Sequence, residues 1–95
     1  MEHKKMLYPY ATLANDLTVT YTQVIKDSNH KKILVHFEQP TDYGFKEARY
    51  SLPGFVEVYN YNYTQSETRQ NLEFLKRNAA SIIKKAEEKS EDKLK

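Results

Sequence analysis

Residues 50–68, "YSLPGFVEVYNYNYTQSET", contain the change of pattern that decides the fold. Pro53 presets the backbone for the first central position of a type II turn and Gly54 accepts the positive φ of the second, so the chain is expected to reverse at Leu52-Pro53-Gly54. The next residues alternate. Phe55, Glu57, Tyr59, Tyr61 and Tyr63 fall on one face of a strand, with Val56, Val58, Asn60 and Asn62 on the other. At Thr64 the period changes. Thr64-Gln65-Ser66-Glu67 fits a capping box, in which the Thr64 hydroxyl and Glu67 carboxylate each satisfy a backbone donor of the other, so a helix should begin at about Gln65.

Toward the C-terminus, Leu72, Leu75, Ala79, Ile82 and Ala86 recur at alternating spacings of three and four, with Ile83 beside them, and form one apolar stripe. Phe74 lies about 200° around the helix from Leu72. Its neighbours there are Arg77, Asn78, Ser81 and Lys85. An aromatic beside an arginine is the composition of an interface anchor, and Phe74, Arg77, Asn78 and Lys85 are the expected partner-binding residues. The remaining charges pair as Glu73 with Arg77 and Lys84 with Glu88, the pattern of a solvated helix face. From Glu87 onward "EEKSEDKLK" is almost entirely charged, so residues 87–95 are expected to fray or be disordered beyond a single domain of residues 1–86.

Toward the N-terminus, "LTVTYTQVI" (17–25) places Leu17, Val19, Tyr21 and Ile25 opposite three threonines, a half-buried strand. "KDSNHKK" (26–32) reads as a loop and "ILVHFE" (33–38) as the second arm of an antiparallel hairpin. After the "QPTDYG" turn, "FKEARYSL" (45–52) alternates less clearly, and Lys46, Glu47 and Arg49 fit an edge strand. A short strand or extended arm over Leu7–Leu13 precedes these. The expected fold is α+β: a four-stranded antiparallel sheet with one C-terminal helix packed on one face, the other face wet or an interface.

A chain of 95 residues has surface enough for one core. It lacks cysteine, which excludes disulfides, a thiolate zinc site and a cysteine nucleophile. Its two glycines exclude a glycine-rich phosphate loop. Neither a secretion-type apolar core nor a membrane-length apolar run is present, which fits a soluble cytoplasmic protein. No histidine or carboxylate spacing of a metal site appears along the chain, and no cofactor motif. His36 and Glu38 share a strand face and are the one local pair able to orient each other; a solvent-facing polar pair is the default reading. With no nucleophile held by a base, the chain does not read as an enzyme.

Eight tyrosines are the unusual feature. Tyr59, Tyr61 and Tyr63 on one strand face form a candidate aromatic surface of the kind that stacks unpaired bases. That strand carries Glu57 and no Lys or Arg. Residues 1–63 balance seven basic against seven acidic residues, and the net charge of +2 arises in the last third. A positive field along the strand is therefore missing, and packing or protein contact is the better use of these rings. The first expectation is a non-catalytic protein-interaction module with a protein partner. A single-stranded RNA- or DNA-binding protein using the tyrosine face is the alternative. A homodimer is compatible with either, through the apolar stripe or an edge strand.

Three pieces of the chain resemble the HicB-like antitoxin domain of small bacterial and phage-type proteins: Tyr8-Pro9, Leu52-Pro53-Gly54, and the segment from Thr64 to Leu75. The resemblance implies a partial RNase-H-like sheet-plus-helix unit. It also implies a partner protein without catalytic activity that occludes a small RNA-cleaving toxin.

Overall fold

The computed structural model describes residues 6–94. The elements, in order, are β1 (Tyr8–Leu13), a 3-10 turn (Ala14–Asp16), β2 (Leu17–Tyr21), β3 (Ile25–Asp27), β4 (His30–Thr41), β5 (Gly44–Leu52), β6 (Val56–Tyr61) and α1 (Gln65–Leu94). The fold is α+β, with an antiparallel sheet and one C-terminal helix. The sheet has six strands rather than four. Its order is β1-β2-β4-β5-β6, with β3 paired to the start of β4.

Both additional strands have local causes. The Leu7–Leu13 arm pairs with β2 from Tyr8↔Tyr21 to Leu13↔Leu17, so the chain folds straight back on itself through the 3-10 turn. The expected strand over 17–25 is interrupted at Thr22, whose hydroxyl accepts the Leu34 N–H and donates to the Gln23 carbonyl. Side-chain bonds of this kind compete with the ladder. The chain resumes as β3, and the segment read as a loop becomes a tight hairpin with Ser28 in the left-handed region at φ 58°.

β5 is an inner strand, paired with β4 on one side and β6 on the other, and not the expected edge. Its alternation is sound on the helix-facing side, where Ala48, Tyr50 and Leu52 are fully buried. The charges that obscured it, Glu47 and Arg49, point to the other face. β4 works the same way: Ile33, Val35 and Phe37 face α1, whereas His36 and Glu38 do not.

α1 covers one face of this sheet with Leu75, Ile82 and Ala86 fully buried. The buried strip runs along the helix through Asn71, Leu75, Ile82 and Ala86, flanked on one side by Leu72, Ala79 and Ile83 and on the other by Phe74. Measured from Leu75 rather than Leu72, Phe74 is only about 100° around the helix, within reach of the sheet. The expected capping box is present. Thr64 N–H donates to Glu67 Oε1 at 3.0 Å and Glu67 N–H to Thr64 Oγ1 at 3.1 Å. The helix continues beyond Ala86 to Leu94, within the run expected to fray, of which Lys95 lies outside the described residues. Ser90 Oγ accepts the Val24 N–H at 2.9 Å and donates to the Ala86 carbonyl, which ties this part of the helix to the β2–β3 connection.

No helix among the described residues is long and apolar enough to cross a membrane.

Candidate functional site

Register places a set of polar side chains on the sheet face that α1 leaves uncovered. In the pairs Thr20↔His36↔Arg49↔Tyr59 and Thr18↔Glu38↔Glu47↔Tyr61, each set of partners shares that face. His36 is 8% exposed and sits at the centre. Its Nε2 lies 3.3 Å from Glu47 Oε2. Its Nδ1 lies 3.3 Å from the Tyr59 hydroxyl. Burial holds the imidazole below its usual pKa, with the Arg49 charge adding to the effect. The ring is thus neutral at pH 7. Donor and acceptor counting then assigns Nε2–H as donor to Glu47 and the Tyr59 hydroxyl as donor to Nδ1. The Tyr59 phenol is itself pushed up by burial, so it keeps the proton this requires.

Arg49 is drawn over the Tyr59 ring, 5.5 Å from its centroid. Glu38 and Glu47 stand directly opposite each other across β4 and β5. No Lys or Arg among the described residues lies within ion-pair distance of either. His36, Glu38 and Glu47 each bring one ligand atom into a cluster whose members lie within 4.8 Å of one another. The expected His36–Glu38 pair is therefore part of a larger group. Glu47 was missed because it comes from the neighbouring strand; the signal was register, since the Asp42-Tyr43 hairpin turn places Glu47 opposite Glu38.

The outer end of this face and the β6 edge are apolar. Phe45 and Tyr61 contact each other with ring centroids 6.0 Å apart. Val56, Val58 and Tyr61 are each more than half exposed. Among the described residues β6 has a strand neighbour only on the β5 side, so its other edge presents backbone groups without a ladder partner there. Glu57 is its sole charged residue. The opposite edge of the sheet, β1, is blunted: Pro9 lacks a donor and a register shift interrupts the strand between Pro9 and Ala11.

The three tyrosines expected on one platform are separated. Between Arg49↔Tyr59 and Tyr50↔Glu57 the ladder skips Val58, a bulge that puts Glu57 and Tyr59 on opposite faces. Asn62, at φ 75°, then turns the chain toward α1. Tyr63 is consequently buried in the core, where desolvation pushes its phenol up to about 12. Only Tyr59 and Tyr61 remain on the helix-free face, Tyr59 half-buried and Tyr61 exposed. The preceding turn also differs from expectation. The Leu52–Pro53 peptide is cis, and the left-handed φ of 55° falls on Phe55 rather than Gly54. From that position the Phe55 ring packs against the core.

The expected helix site is divided as well. Phe74 is half-buried, edge-to-face with Tyr10 and Phe37 at centroid distances of 6.3 and 6.2 Å. Asn78 is committed inward, accepting the Tyr10 hydroxyl at 2.7 Å and donating to the Phe74 carbonyl. Arg77 and Lys85 are exposed. Phe74 and Arg77 also border a shallow groove between the 3-10 turn and α1, with Leu13 and Leu17 on its other side.

No family model, curated protein or solved structure matches the chain.

Proposed function

We propose that the protein is a non-catalytic interaction module that binds an extended segment of a partner protein along β6. The supporting observation is the asymmetry of the sheet edges. Each edge strand carries one bulge, but β1 is further blunted by Pro9, whereas β6 lacks proline, carries one charge and is flanked by exposed Val56, Val58, Tyr61 and Phe45. Strand addition uses such an edge: main-chain bonds supply affinity and the flanking side chains supply selectivity. An antitoxin-type partner of the HicB-like kind fits this reading, because such a protein acts by occupying another protein's surface. A reducing cytoplasm suits a chain without cysteine.

Single-stranded nucleic acid is the weaker reading. Tyr63 is withdrawn into the core, and the remaining rings share their face with Glu38, Glu47 and Arg49. A stacking surface requires a positive track for the phosphates.

The test is affinity purification of tagged wild-type and Val58→Lys protein from native lysate after nuclease treatment. The expected result is a stoichiometric protein partner retained by wild type and lost from Val58→Lys, with unchanged circular dichroism. Retention by both, nuclease-sensitive material, or recovery of a second copy of the chain alone would overturn the proposal.

A further inference from the structure

The helix-free face brings together two carboxylates that oppose each other with no bridging Lys or Arg among the described residues, and a buried imidazole whose far nitrogen is held by a hydroxyl. Like charges directly across a strand pair destabilise a sheet. A divalent cation between them would reverse that sign. We propose that His36 Nε2, Glu38 and Glu47 form a three-ligand binding site for a zinc-class divalent metal ion, with further positions left to solvent.

The chemistry of the donor set favours this class. One imidazole nitrogen with two carboxylate oxygens suits zinc and its neighbours, while calcium and magnesium prefer all-oxygen shells. Bonds of roughly 2.0–2.1 Å place tetrahedral ligand atoms roughly 3.3 Å apart. The His36 Nε2–Glu47 Oε2 separation is already 3.3 Å. The ligand atoms of the group all lie within 4.8 Å of one another, and the remaining gap closes by rotation of the exposed Glu38 side chain.

The proton accounting is simple. The Nε2 proton of neutral His36 transfers to Nδ1, freeing the Nε2 lone pair for the metal, and the Tyr59 hydroxyl changes from donor to acceptor. The imidazole proton only moves between the two ring nitrogens, so this step releases no net proton. Tyr59 then holds the ligand through its remote nitrogen, the position that a carboxylate, carbonyl or water occupies at many metal-bound histidines. Arg49, across the strand from His36, is an adjacent cation and lowers the affinity; its position over the Tyr59 ring keeps it out of the gap between the carboxylates.

The experiment is calorimetric titration of zinc chloride into untagged, chelator-treated protein near pH 7, with cobalt(II) absorption as the coordination readout. A 1:1 saturable isotherm and a cobalt spectrum of low coordination number are expected. Glu38→Gln sits at an exposed position and leaves the fold unchanged, yet weakens zinc by more than about tenfold; Tyr59→Phe weakens it by about tenfold through the imidazole. His30→Ala, in the β3–β4 turn, has no effect. Absence of binding, or affinity unchanged in both Glu38→Gln and Glu47→Gln, would overturn the proposal.

Discussion

The Glu67 carboxylate joins three elements at one point. It accepts a hydrogen bond from Lys46 of β5, closes the capping box with Thr64, and starts α1. Lys46 chiefly, with the Thr64 N–H next, holds its pKa below the usual carboxylate value. A depressed acid stabilises the fold at pH values above its unfolded pKa of about 4.3, and that contribution disappears as pH falls through the folded value. Glu67→Gln should therefore lower the melting temperature at pH 7, and the gap to wild type should close in acid; a constant gap would contradict the assignment. Phe74 belongs to the same scale. Its ring packs on Phe37 and Tyr10, so Phe74→Ala should cost about 2 kcal/mol in denaturant unfolding, less than a fully buried phenylalanine. Spacing from Leu72 made Phe74 look like a solvent-facing anchor. Which residue centres the buried strip depends on how the helix rotates on the sheet, and that is set by the partners Tyr10 and Phe37, which are distant in sequence.

At the scale of elements, legibility tracked locality. The capping box and the alternation of β2 and β4 use neighbours within a few residues, so Thr64, Glu67, Val19 and Val35 could be placed from the chain alone. The β6 bulge at Val58 could not, because a skipped residue appears only when Tyr59 and Glu57 are matched to Arg49 and Tyr50. The same holds for the His36–Glu47 contact, which depends on the β4–β5 register. At the end of α1, composition does not reveal a tertiary contact. "EEKSEDKLK" is polar enough to fray, yet Ser90 supplies an acceptor for a partly buried Val24 N–H. Ser90→Ala should thus destabilise the protein by about 1 kcal/mol despite lying in a charged segment. An effect within error would show that the helix beyond Ala86 adds nothing to the domain.

For the whole molecule, one helix serves one face of a six-stranded sheet and leaves the other to polar chemistry and an open edge. The two readings of that surface are separable. The proposed metal site rests on His36, Glu38 and Glu47 at the centre of the face, and the proposed partner site on β6 at its rim. Val58→Lys changes an exposed edge residue and should alter stability by no more than about 0.5 kcal/mol. A loss of binding in that variant then reports the surface and not the fold. The most direct measurement is site-specific photo-crosslinking in native lysate, with the photoreactive residue placed at Val58 in one protein and at Arg77 in another. The fold predicts a discrete protein adduct from Val58 on β6 and none from Arg77 on α1. An adduct from Arg77 with none from Val58 would contradict it and move the functional surface to the helix groove beside Phe74.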